Sequence, residues 1–180
     1  MKPTKSHIVW QQPSSWRLRV DEVRVADGAT VSKGIVEHPG AVVLIPLRNS
    51  ENGPEVVMIR QYRTAVSQHI LELPAGTKGW QEDWLICAQR ELREETGCRA
   101  DNFVELGKIW PAPGISDELM AIYIATGLTH DPLPADVDEE IELAPMLLAD
   151  LVAMALDGRL QDGKSVVGIL RAAHYLASNP

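Results

Sequence analysis

Three carboxylates, Glu91, Glu94 and Glu95, stand at i, i+3 and i+4 in one short stretch. At roughly 100° per residue, a helix gathers them into a sector about 100° wide. Like charges that close destabilise an isolated helix by about 0.2–0.5 kcal/mol per pair, so solvent or cations must compensate them. Hard divalent cations take oxygen ligands, which makes such a cluster on a packed helix a candidate platform for Mg²⁺ or Mn²⁺. Leu85, Ala88 and Leu92 sit at core-forming spacing and are expected to pin the helix to a core. Arg90 and Glu94 form an i, i+4 pair able to hold one carboxylate in place.

The pattern extends well beyond the cluster. Gly76, five residues, Glu82, seven residues, then Arg90-Glu91-Leu92-Arg93-Glu94-Glu95-Thr96-Gly97 fills every fixed position of a known signature, the box of residues 76–97. On these residues the chain resembles the Nudix hydrolases. Cys98 stands where that family usually has an aliphatic residue, and cysteine is itself a small buried hydrophobe. An ordinary charged surface helix would not also supply both glycines and the arginine at these gaps. The resemblance implies hydrolysis of a nucleoside diphosphate linked to another group, with Mg²⁺ (or Mn²⁺) held by Glu91, Glu94, Glu95 and the carbonyl of Ala75. Glu82 and Arg90 then brace the site through a loop contact and a salt bridge, and Gly76 and Gly97 bound it.

Three further segments are similar to the ADP-ribose pyrophosphatase and nucleoside-diphosphate-sugar branch. They are Arg60-Gln61-Tyr62-Arg63 with Glu72-Leu73-Pro74-Ala75-Gly76; Pro113-Gly114 through Glu118, with Pro113 sixteen residues beyond Gly97; and Asp138 to Glu142. This implies conversion of ADP-ribose to AMP and ribose 5-phosphate, with GDP-mannose or another sugar nucleotide as the alternative. An inactive ligand-binding module is a third reading, and the complete set of box glutamates stands against it. Substrate contacts are then expected at Arg60, Arg63, Glu72, Pro113 and Gly114. The plainer reading makes Arg60 and Arg63 solvated strand-edge charges and Pro113-Gly114 a turn only. Glu94 and Glu95 join Glu139 as the catalytic set, Glu139 orienting the attacking water; Asp138 and Glu140 are its close alternatives. Trp16 is a candidate for stacking on a base, and the five histidines show no ligand spacing.

These residues need a scaffold. The chain's 180 residues suffice for one domain with a real core. Its net charge of −8 argues against a nucleic-acid backbone as partner, leaving a small anionic molecule neutralised locally. No apolar run approaches a membrane span and no leader is visible, while two cysteines at unremarkable spacing suggest no disulfide framework, so a cytoplasmic protein is expected. Alternation from Trp16, a turn at Asp27-Gly28 and a return to Glu37 read as a β-hairpin, preceded by a loose arm or edge strand over 1–14. Ala41–Leu47 reads as a central strand, Glu55–Tyr62 as its partner, Ile70–Gly76 as one short strand, and Glu82–Thr96 as the helix. Strands follow over 102–110, 118–125 and 139–143, then helices over 146–156 and 165–178. The expectation is an α+β fold, which the resemblance narrows to an α/β/α sandwich with a mixed sheet. Residues 1–38 form the hairpin arm and 39–180 the catalytic domain, and the resemblance implies a homodimer built through that arm.

Overall fold

The computed structural model describes residues 2–12, 15–134 and 140–179. In chain order the strands and helices are β1 (Lys5–Gln11), β2 (Arg17–Arg24), β3 (Thr30–Glu37), β4 (Ala41–Ser50), β5 (Gly53–Arg63), β6 (Gln68–Glu72) and β7 (Ala75–Thr77). Then come α1 (Trp84–Thr96), β8 (Cys98–Arg99), β9 (Asn102–Ile109), β10 (Met120–Thr126), β11 (Thr129–His130), β12 (Ile141–Leu147), α2 (Leu148–Asp157) and α3 (Gly163–Ser178). The expected α+β sandwich with a mixed sheet is what forms.

The sheet is organised around β4. Its first seven residues are apolar and all buried, because helices cover both faces of the sheet. Among the described residues the strand order is β12-β5-β4-β10-β9, with β6 paired to β5 and β7 to β4. The β4–β10 pairing is parallel and the others antiparallel. Side chains of β4 alternate between two cores. Val42 and Leu44 meet Cys87, Ala88 and Leu92 of α1. Val43 and Ile45 meet Leu151 of α2 and Ile169 of α3.

Several boundaries differ from the sequence reading. The expected single strand over Ile70–Gly76 is two, because the chain changes partners at Leu73-Pro74. Pro74 has no N–H to donate, its carbonyl accepts from the Leu44 amide at 2.8 Å, and the Leu73 amide is taken by the Ser165 hydroxyl at 2.7 Å. Helix α1 starts at Trp84 rather than Glu82, since the Asp83 carboxylate accepts the Leu85 and Ile86 amides as an N-cap. Leu85 is half exposed, at 50 %. The buried face, Cys87, Ala88, Glu91, Leu92 and Glu95, is centred about 90° away from it. The last strand runs Ile141–Leu147, and α2 and α3 begin at Leu148 and Gly163.

The N-terminal hairpin β2-β3 carries β1 as an edge strand, the second of the two alternatives for residues 1–14, giving a three-stranded antiparallel sheet, β1-β2-β3. All seven residues of β1 are exposed. The sheet is tied to the remainder by the Asp117 carboxylate, which accepts the His38 amide at 2.8 Å, and by a bridge between Val36 and Ser116.

Candidate active site

Strand β7, the loop after it and α1 bring the box together. Gly76 lies directly beneath Glu91: a β-carbon there would stand 1.8 Å from the Glu91 carboxyl carbon. Only glycine leaves room for that carboxylate. Glu95 reaches the same strand and accepts the Ala75 amide at 2.9 Å. Both acids are buried, at 8 % and 4 % exposure. At the far end, Gly97 takes the left-handed conformation with φ 70° and closes the helix.

Arg90 gathers the acids. Its guanidinium donates to Glu82 at 3.0 and 3.1 Å and to Glu94 at 2.8 Å, stands 2.7 Å from Glu91, and donates to the Thr77 carbonyl at 3.3 Å. Glu82 also accepts the Gly79 amide at 2.8 Å, which folds the loop back on itself. Glu82 is thus joined both to Arg90 and to its own loop. The Arg90 hydrogen bond holds the Glu82 carboxyl below its ordinary range, with burial opposing, and the same contact raises Arg90. Burial pushes the Cys87 thiol well up, so it is an inert core group.

Beside the box opens a cleft of about 1140 Å³. Its walls include Ala75, Gly76, Arg90 and Glu91 from the box, Arg63 and Glu72 from β5 and β6, and Gln12, Ser15 and Trp16 from between β1 and β2 of the same chain. Trp16 packs on Trp10 with ring centres 4.8 Å apart. The loop residue Trp80 clamps sheet to box: its indole N–H donates to the Ser15 carbonyl at 3.0 Å, and the Arg17 guanidinium lies 4.7 Å over its ring.

Arg63 and Glu72 meet in the cleft wall, joined by two hydrogen bonds of 2.8 and 2.9 Å. Arg60 does not join them. Three residues earlier on a strand, it faces the other way and borders a separate depression of about 220 Å³ with His69 and Arg159. Pro113 and Gly114 are exposed and lie off the cleft wall, which is lined instead by Trp110 and Pro111. Asp138 and Glu139 lie outside the described residues; Glu140 is exposed immediately before β12.

The cleft also holds Glu118, which ends the segment from Pro113 to Glu118, and two groups that no motif marked, Asp162 and Lys164. Lys164 is buried at 8 % exposure and donates to Glu72 and to Asp162. Burial raises the Glu118 carboxyl, and the nearby Lys164 charge partly offsets this. The only local signal was Asp162 before a helical pattern, an N-cap signature.

The donor set fits a hard divalent cation. Every candidate ligand is an oxygen, and Mg²⁺ needs only one or two carboxylates plus water and phosphate oxygens. Among the described residues no three acidic, histidine or cysteine side chains close into a preformed cage. The platform is open, with Arg90 collecting its charge.

Residues 37–166 match the family described as the NUDIX domain, and the chain belongs to that family, the Nudix hydrolases. The resemblance carried by the box is thereby borne out. Proteins of this family generally use divalent metal ions. The chain is 36 % identical over 155 residues to a methanol dehydrogenase activator of Bacillus methanolicus, covering 85 % of this chain and 82 % of that one. It is 35 % identical over 164 residues to an ADP-ribose pyrophosphatase of Mycobacterium tuberculosis, covering 89 % and 77 %. A crystal structure of an ADP compounds hydrolase shares the fold, with a TM-score of 0.81 over 99 % of this chain and 96 % of that one at 21 % identity.

Proposed function

We propose that the chain hydrolyses the pyrophosphate bond of a nucleoside diphosphate sugar, converting ADP-ribose to AMP and ribose 5-phosphate with Mg²⁺. The observation that carries this reading is one cleft in which a buried box carboxylate, Glu91, shares walls with Arg63 and Trp16. Glu91, Glu94, Glu95 and the Ala75 carbonyl would hold the cation, which supplies charge screening for the diphosphate, an activated water and a stabilised leaving phosphate. Arg90 keeps the carboxylates from repelling one another, and Glu82 keeps Arg90 in place. Arg63 offers a planar fork suited to phosphate oxygens, and Trp16 an aromatic face for the base. Glu139 is assigned the water-orienting role, with Asp138 and Glu140 as neighbours able to share it.

The reading includes a homodimer in the cytoplasm. Strand β1 supports the first part, since among the described residues its outer edge has no partner strand and it exposes Ile8, Val9 and Trp10. Among the described residues no helix is long and apolar enough to cross a membrane, and both cysteines are free thiols. Light scattering at micromolar concentration tests the dimer.

The activity is tested by phosphate release after phosphatase coupling, with Mg²⁺ or with EDTA, on ADP-ribose, GDP-mannose, ADP-glucose, NADH and a nucleoside triphosphate. Metal-dependent preference for ADP-ribose is expected. Preference for GDP-mannose would keep the chemistry and change the substrate; no turnover by folded protein would overturn the enzymatic reading.

A further inference from the structure

Two cations share one buried carboxylate in the cleft wall. Glu72 is 0 % exposed. Arg63 grips both of its oxygens, while the Lys164 ammonium donates to Oε2 of Glu72 and, at 3.0 Å, to Asp162. The two cations are not equivalent. The Lys164 side chain is 8 % exposed and that of Arg63 is 38 % exposed. Lys164 belongs to the first turn of α3, where Asp162 caps the helix by accepting the Ser165 amide and the Ser165 hydroxyl takes the Leu73 amide. That turn is locked into the core. Arg63 ends its strand at the cleft.

Stripping the last cation from a buried carboxylate is strongly unfavourable, whereas removing one of two leaves it paired. The Arg63 fork suits a phosphate as well as a carboxylate. We propose that Lys164 is a positioning residue: it is the standing counter-ion of Glu72, and by staying there it releases Arg63 to exchange that carboxylate for a phosphate oxygen of the substrate. This rests on the nucleotide-sugar reading above. Without Lys164, Glu72 holds Arg63 as its only strong partner, and substrate must break that pair to bind.

The test compares wild type, K164M, K164R and K164M/E72Q by steady-state kinetics on ADP-ribose with Mg²⁺, with circular dichroism to verify folding. K164M is expected to raise KM roughly tenfold or more with kcat largely kept. K164R should restore KM to within about twofold of wild type. Adding E72Q to K164M should lower KM again, because a neutral amide has no ionic hold on Arg63. Folded K164M with unaltered KM, or no recovery in the double variant, overturns the proposal. Should K164M not fold, E72Q is compared with K164M/E72Q: with Glu72 neutral, loss of Lys164 should change KM by no more than about twofold, and a larger change overturns it. Wild type that turns over no sugar nucleotide overturns the substrate reading itself; turnover with a K164M KM equal to wild type overturns this inference alone.

Discussion

Glu95 accepts the Ala75 amide at 2.9 Å, so one carboxylate both belongs to the acidic cluster and fastens α1 to the strand at the mouth of the box. Among the described residues Glu94 has no such backbone contact, and it is held by Arg90 at 2.8 Å. The two acids should therefore separate in experiment. E94Q is expected to lower kcat by roughly 100-fold or more while leaving the melting temperature near wild type. E95A should lose a similar factor and also about 1–3 kcal/mol of stability, since it orphans the Ala75 N–H. Paired kinetics and thermal melts distinguish the two; full activity in E94Q would remove Glu94 from the catalytic set.

Gly76→Ala forces a β-carbon into the Glu91 carboxylate. Overpacking of this type destabilises by about 1–3 kcal/mol, and here the group that gives way is a proposed metal ligand. Turnover should fall steeply, and isothermal titration with Mn²⁺ should show weakened binding. Unchanged metal affinity would mean that Glu91 does not hold the ion.

The Glu82–Arg90 pair sets an acid limit. Hydrogen bonding to Arg90 puts the folded-state pKa of Glu82 below its ordinary value of 4.5. Its contribution to stability is thus complete above that value and is lost as pH falls through the lower, folded one. In melts from about pH 7 down to about pH 3, E82Q should start less stable than wild type, and the gap should narrow toward the acid end. A gap that stays constant across the range would show that the ionised form contributes nothing.

Trp16 lines the same cleft as Gly76, Arg90 and Glu91, and its proposed role is a face for the base. Stacking is worth about 1–3 kcal/mol per base, so W16A should raise KM for ADP-ribose roughly tenfold with kcat nearly unchanged. Equal KM values for W16A and wild type would place the base elsewhere.

The box was legible because its chemistry is local: one short strand, the loop after it and one helix carry Gly76, Glu82, Arg90 and Glu91, and a helix translates spacing into geometry without help from the remainder of the chain. Strand β4 was legible for a similar reason, being apolar without interruption. What escaped needed tertiary information. Lys164 reaches Glu72 across 92 residues. Leu85 has helical spacing yet lies at the margin of the buried face, while Cys87 sits inside it. Arg60 and Arg63 looked alike in the sequence, although an odd separation on a strand sends them to opposite sides. Pro113 and Gly114 fell outside the cleft because the loop enters it through Trp110 and Pro111 instead.

The first seven residues of β4 are buried on both faces, and that has a consequence for how the chain finds its frame. A half-buried strand is corrected by its own pattern, since slipping by one residue would turn its apolar set to water. Within Ala41–Leu47 there is no such corrector: a slip would merely exchange Val42 and Leu44 for Val43 and Ile45, and only Arg48 at the far end would register it. The alignment must be enforced from outside the strand. Gly40 is suited to that duty, with φ 107° and the Trp84 ring 2.7 Å from where a β-carbon would stand, so no neighbouring residue can take its place. Gly40 and Trp84 thus act as a reading-frame mark, and single-residue insertions or deletions between Gly40 and Pro46 should be far less tolerated than substitutions among the apolar residues there.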